Sequence, residues 1–527
     1  MAQSLDAIVV GAGHNGLVCG AYLAKAGLKV AILERREVIG GACVTEEVWP
    51  GYRVSTASYV MSLLQPRIIN DLELRKFGFE VLPTDNLFVP FPDCRYFVYW
   101  DDLNKTCREI AKFSRKDAEA YPAFDAFLHD AARFVRGLLW MTPPNPVSRR
   151  PSDIKDMLGL LWRLRKMGGK LFRFVDLMTE SISDFLDRYF ESDQVKAVLA
   201  YYGSIGTFAG PKTPGTAYVL LHHLMGEHEG AGGWGFIRGG MGGISQAIAR
   251  SAERWGAQVR RGAEIAHIPV TGGRAAGVVL RSGEELAAKI VVSNADPRRT
   301  FLGLVDPREL PAEFVEEIRT YKTYSTAFKI NLALDEPPRY TAFDGRAIGT
   351  SYPTYVHIGP SIEYLERAYD EAKYGRPSSR PFLSPVVPTI VDPDLAPRGK
   401  HILNIFGGHA PYTLTGTTWE TERERFADTV IDTLAEYAPN LKGSVIHRQV
   451  LMPPDLESIF GLPQGHIFHG ELSLDQLFFM RPAAGYANYR SPIKGLYQCG
   501  SATHPGGGVM GVSGHNAARE ILKDWKG

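Results

Sequence analysis

The residues best placed to do chemistry in this chain are glycines, because in two places their spacing offers bare backbone to a ligand. Near the start, DAIVVGAGHNG sets Gly11, Gly13 and Gly16 between an apolar, β-branched run and the helical spacing of LVCGAYLAKAG. LKVAILE follows as a second strand and closes on Glu34, 18 residues beyond Gly16. A strand, a glycine turn, a helix, and a strand ending in an acid make a dinucleotide fingerprint. Gly11 permits the tight turn, Gly13 lets the backbone approach a pyrophosphate, and Gly16 allows close helix–strand packing. The helix N-terminus, with Asn15 beside it, then faces the phosphates, and the Glu34 carboxylate accepts bonds from a ribose diol. At the far end, GSATHPGGGVMGVSGHNAARE (500–520) carries six more glycines. The two stretches read as halves of one site.

The segment after Glu34 selects the dinucleotide. A nicotinamide-type domain would continue into another βα repeat. Instead Gly40, Gly41 and Ala42 open the backbone again, and an extended segment runs to Tyr59. That added strip suits FAD, which is longer and is gripped over most of its length. Arg35 and Arg36 either sit near the adenosine or pyrophosphate or are solvated charges. GGWGFIRGGMGGISQAIARSAERWGAQVRRGAEI imitates a second fingerprint, but the segment before its glycines is a poor buried strand. The five cysteines show neither CxxC spacing nor a zinc-ribbon pattern, so no redox dithiol and no metal site is expected.

The elements that must hold these residues follow from local pattern. Residues 110–230 read as mostly helical, broken at TPPNPVSRRP and GPKTPG. GVVLRSGEEL reads as a hairpin turning at Ser282-Gly283. TAFKINLAL and KHILNIFGG read as strands, and ERERFADTVIDTLAEYAP as a helix with Phe426, Val430, Leu434 and Tyr437 on one face.

GAGHNGLVCGAYLAKAGLKVAILERREVIGGAC, RGGMGGISQAIA and GLYQCGSATHPGGGVMGVSGHNAA resemble three motifs of the phytoene-desaturase-like branch of the amine oxidase superfamily of flavoproteins. The likeness runs essentially end to end, and desaturase-like carotenoid ketolases share stretches such as IFHGELSLDQLFFMRP. The resemblance implies an α/β fold with a discontinuous Rossmann-type FAD domain (1–75, 235–304 and 481–527). An interleaved mixed-sheet and helical substrate domain (76–234 and 305–480) would pack over it. It also implies that the first βαβ unit grips the adenosine and pyrophosphate, while the C-terminal strand and helix grip the flavin end. Ile265 would touch the adenine through its backbone. Gly500 and Ser501 would lie at the pyrophosphate or ribityl, with Ser501 where many members carry an acid. Gly506 to Gly508 would bend beneath the isoalloxazine, Val509 follows, and amides at Met510, Gly511 and Val512 would aim partial positive charge at the flavin N1–C2 carbonyl.

No base stands in an obvious catalytic setting. His466, His469 and His504 are candidates, the last by its place in the flavin motif, with a structural role the alternative for each. The expected function is FAD-dependent oxidation, by hydride transfer to flavin, of a lipophilic, carotenoid- or polyene-like substrate. A quinone or oxygen would re-oxidise the flavin. The alternatives are a carotenoid ketolase, a flavin protein acting through partner binding in a respiratory or mitochondrial-type role, and amine oxidation. RRPSDIKDMLGLLWRLRKMGGKLFR (149–173) sets eight Lys or Arg against two Asp, interleaved with Leu, Ile, Met and Trp. It reads as a peripheral membrane contact, a lid helix or a partner surface. Net charge is +1, with 45% hydrophobic and 22% charged residues in 527, which suits a folded globular protein and gives no nucleic-acid footprint. No signal peptide or apolar span is read, so the expected location is cytoplasmic, peripheral on the membrane if 149–173 docks there. By resemblance, eukaryotic relatives are placed in the mitochondrial matrix. Oligomeric state is not readable.

Overall fold

The computed structural model describes residues 5–83, 86–226, 235–345 and 352–526. The chain opens as β1 (Leu5–Val10), α1 (His14–Lys25) and β2 (Val30–Leu33). A helical stretch follows, with α2 (Arg115–Leu139), α3 (Pro151–Lys166), α4 (Lys170–Thr179) and α5 (Thr216–His223). Next come α6 (Gly242–Arg254), β3 (Gln258–Arg260), β4 (Ile265–His267), β5 (Gly277–Leu280) and β6 (Glu285–Ser293). A third stretch holds β7 (Phe328–Leu334), β8 (Leu383–Val386), β9 (His401–Gly407), α7 (Trp419–Ala435), β10 (Val445–Leu451) and α8 (Pro453–Phe460). β11 (Leu496–Gln498) and α9 (Val512–Lys526) close it.

Seven strands form the large sheet. Its parallel part runs β11, β6, β1, β2, β3, so the first and last strands of the chain flank the same partner. Val291 of β6 is in register with Ile8 on one side and Leu496 on the other. β1 can sit there because Ala7, Ile8, Val9 and Val10 are all apolar and buried, as a strand covered on both faces requires. The start of β6 instead pairs antiparallel with β5 through the predicted turn, where Gly283 takes φ +87°. α1 lies between α6 and α9. Contact with α9 depends on Gly514, where a Cβ would stand 2.2 Å from the Asn15 carbonyl oxygen.

The second sheet, β8-β9-β7-β10, is antiparallel throughout. All seven residues of β7, FKINLAL, are buried. α7 covers this sheet through Phe426, Val430 and Leu434, with Tyr437 buried just beyond its end. Each such side chain contributes about 1.5–3 kcal/mol of apolar transfer. Among the described residues, no helix is long and apolar enough to cross a membrane.

Candidate functional site

β1 runs into Gly11, whose φ of +91° turns the chain sharply into α1. The turn nests on Asn294, the residue after β6. A Cβ on Gly13 would meet Asn294 Nδ2 at 2.7 Å, and one on Gly16 would meet the Gly11 carbonyl oxygen at 2.3 Å. At the end of β2, Glu34 is buried and held from two sides. Its Oε2 accepts from Ala12 N (2.9 Å) and its Oε1 from Arg36 N (3.0 Å). Gly40 N donates to the Ala12 carbonyl at 2.9 Å, which lays the Gly40–Ala42 strip against the turn.

A cavity of about 590 Å³ runs from this turn to the second sheet. Gly11, Gly13, Glu34 and Arg35 line its first end, with the Gly40, Gly41 and Ala42 strip along one side. Ile265 of β4 lines the same end. Tyr59, Ser501, Gly508 and Val509 line the other. Stretches almost 500 residues apart therefore share one wall. Asn15 and Gly16 stand behind it. Asn15 Nδ2 donates to Ser501 Oγ (3.2 Å), and its Oδ1 accepts from Gly514 N (3.4 Å), so one side chain ties the N-terminal turn to the C-terminal motif.

Several expectations are corrected by the geometry. His504 does not line the cavity. Its Nε2 lies 3.0 Å from the Leu138 carbonyl, its own carbonyl accepts from Tyr489 and Ser513 hydroxyls, and burial lowers its pKa to about 4. It is a structural histidine. His466 is likewise committed, with Nδ1 accepting from the Phe468 and Gly470 amides. Gly500 is required by packing, since a Cβ there would lie 2.6 Å from the Asn294 carbonyl oxygen. Met510, Gly511 and Val512 are also behind the wall. Gly508 and Val509 (φ +113° and +60°) turn the chain inward, and Met510 is buried before α9 begins. The Arg35 guanidinium, half-buried at the first end of the cavity, commits its Nη2 to the Ser458 and Ile459 carbonyls at the end of α8. The mid-chain glycine turn spends its amides on protein: Gly239 N donates to Asp392, Met241 N to Ser55 Oγ and Gly242 N to Thr45 Oγ1. It has no cradle left for a second dinucleotide.

Sequence reasoning missed two lining groups, Lys329 and His14, and named a third, His469. Lys329 sits in the all-buried β7 with its Nζ unpartnered among the described residues, and burial holds its pKa well below the usual lysine range. A lone lysine inside an apolar strand was the available signal. His14 Nε2 and His469 Nδ1 are also buried without a partner, with pKa values lowered by burial to about 4 and about 3. They are neutral rings at the cavity wall. Unpartnered donors, a fixed carboxylate and a strip of glycine backbone along one cavity fit a long, phosphate-containing dinucleotide such as FAD.

Fold and site together define a dinucleotide-dependent oxidoreductase of the Rossmann type. More specifically, the chain belongs to the family described as flavin containing amine oxidoreductase, whose profile matches residues 16–522. Its cofactor is FAD. It is 42% identical over 544 aligned residues to "Pyridine nucleotide-disulfide oxidoreductase domain-containing protein 2" of Rattus norvegicus, covering 99% of this chain and 94% of that one. It is 25% identical to "Phytoene desaturase (lycopene-forming)" of a Paracoccus species, covering 96% and 95%. Among solved structures, a redesigned triple mutant of putrescine oxidase superposes over 99% of both chains with a TM-score of 0.64, at 15% identity. That likeness is one of fold.

Proposed function

We propose that the protein oxidises a lipophilic, polyene-like substrate at an activated C–H bond, and that a quinone or oxygen takes the electrons. The observation that carries this reading is the character of the cavity beyond the nucleotide turn. Val60, Leu63, Ile205, Ile467, Phe468 and Val509 line it there, and among the described residues no carboxylate does; Glu34 and Glu264 stand at the opposite end, where Ala263 N donates to the Glu34 carbonyl. FAD, when bound, would supply a two-electron, hydride-accepting group at the apolar end of the cavity.

The chain's own residues do the rest by binding and by excluding water. The wall formed by Val60, Leu63, Ile205 and Ile467 receives a hydrocarbon through apolar contact. Burial lowers the pKa values of His223 and His469 to about 4 and about 3, so both rings are neutral, and it pushes the Lys329 amine well below the usual lysine range. A cationic amine fits this end poorly. Tyr59 and Phe406 stack on each other (centroids 5.5 Å apart, 18° between planes) rather than flanking an open slot, and Lys329 Nζ already lies 5.0 Å from the Tyr59 ring. The distant likeness to a phytoene desaturase supports the same class of substrate.

The test is anaerobic. Yellow, FAD-loaded protein is mixed with fractionated cellular lipids and polyenes, and flavin absorbance is followed. Bleaching by a lipid fraction is expected. Bands that stay oxidised with every lipid, or that bleach only with amines, would overturn the reading.

A further inference from the structure

The outer face of the α3–α4 hairpin is uncovered. α3 buries none of its residues. Met157, Leu160 and Leu164 are half-buried on its inner side, while Ile154, Leu158, Leu161 and Trp162 form an outward stripe at i, i+4, i+7 and i+8. Leu158 is 62% exposed and Phe172, which continues the surface on α4, is 77% exposed. Of the 14 large hydrophobic side chains exposed among the described residues, 7 fall within 147–175, so they are concentrated in this segment rather than scattered along the chain.

The patch is edged with cations that have no acidic partner. Arg149, Arg150, Lys155, Arg163, Arg165 and Lys166 make no ion pair among the described residues, whereas Lys170 and Arg188, at the inner edge, pair with Asp130 and Asp176. Lys166 Nζ lies 3.6 Å from the Trp162 ring centroid, an amphipathic pair with both ends facing out. The hairpin is nevertheless held firmly from within. Phe174 and Leu177 are buried, Phe174 packs edge-on against Phe134 of α2, and Arg163 Nη1 donates to the Gly137 carbonyl.

We infer that this face docks flat on an anionic lipid bilayer. The stripe enters the acyl boundary, Trp162 lies at the headgroup level, and the cations sit among the phosphates. Charge selects this occupant. A second copy would bring like charges together, and nucleic acid would leave Leu158, Leu161 and Phe172 facing water. α4 packs on α5, whose last residue His223 lines the cavity, so docking sets the cavity one helix layer from the lipid. That last consequence rests on the substrate being lipophilic; the docking itself does not.

Full-length, FAD-loaded protein is floated with vesicles of equal parts phosphatidylcholine and phosphatidylglycerol, and with phosphatidylcholine alone. Flotation with the anionic vesicles and a blue-shifted tryptophan emission are expected. Each cation contributes about fivefold, so Lys155→Gln/Arg165→Gln/Lys166→Gln should weaken partitioning roughly a hundredfold. Leu158→Asp/Leu161→Asp should abolish it, and because all five positions are exposed, flavin absorbance should stay intact in both variants. The inference falls if wild type ignores the anionic vesicles, if it floats equally with phosphatidylcholine alone, or if the variants float like wild type. It also falls if the same substitutions affect only binding to an acidic protein. Flotation involves no substrate turnover, so its failure and that of the lipid oxidation assay are read separately.

Discussion

At the scale of single residues, the site depends as much on atoms left out as on those present. Gly13 is the clearest case, because a side chain there strikes Asn294 Nδ2 before it reaches any ligand. Gly13→Val should therefore displace Asn294 and the turn together, giving colourless protein that does not take up added FAD. An unchanged flavin spectrum after incubation with FAD would contradict the placement of the nucleotide. Lys329 presents the opposite case, a group whose presence opposes folding. A buried polar group with no partner costs about 1–3 kcal/mol. Lys329→Met fills similar space without the amine, so the FAD-free protein should gain stability of that order, read as a raised urea midpoint. If the variant is instead destabilised, the amine has a partner that the reading lacks. The same substitution should slow lipid-dependent flavin bleaching if the amine positions substrate or water at the apolar end.

Among elements, Arg481 does the widest bracing. Its side chain is wholly buried and donates to five carbonyls: Glu471, Gln476, Phe468, Gly470 and Ser501. It thereby fixes the loop that carries His469 against the C-terminal motif that carries Ser501. A lysine has three donors on one nitrogen and leaves at least two of those carbonyls unpaired, at about 1–3 kcal/mol each. Arg481→Lys should thus lower the melting temperature and release FAD faster on dilution, and unaltered release would show that the loop is held by other contacts. Such bracing is what a linear reading misses. The βαβ unit, the Ser282-Gly283 hairpin and the buried face of α7 were legible because each is decided by neighbours in the chain. β6 was not legible as a strand with two careers, because its switch from antiparallel to parallel pairing depends on β1 and β11. The role of His504 stays open in the sequence for the same reason: it lies in a flavin motif, yet the carbonyl of Leu138 of α2 takes its ring nitrogen. The amides of Gly239 to Gly242 look free until Asp392, Ser55 and Thr45 arrive from elsewhere to use them.

For the whole molecule, burial of several imidazoles makes acid the natural denaturant. His222, His466 and His504 are almost fully buried, with pKa values lowered to about 3, about 3 and about 4. Burial is the main cause, and the Arg481 guanidinium adds to it at all three. In the unfolded chain each returns to about 6.5 and binds a proton that the folded protein refuses. Between those values the unfolded state holds more protons, so stability rises with pH. The contribution is complete above about pH 6.5 and drains away as pH falls toward the folded values, the loss amounting to about 1.4 kcal/mol per histidine at about pH 5.5. A urea midpoint followed from about pH 7 to about pH 5 should fall steeply, with the fall beginning near the unfolded histidine pKa and not near the carboxylate range. His504→Gln keeps a donor for the Leu138 carbonyl but cannot titrate, so it should remove one histidine's share of that slope. A midpoint that stays level over this interval would mean that these rings are reached by water in the folded protein.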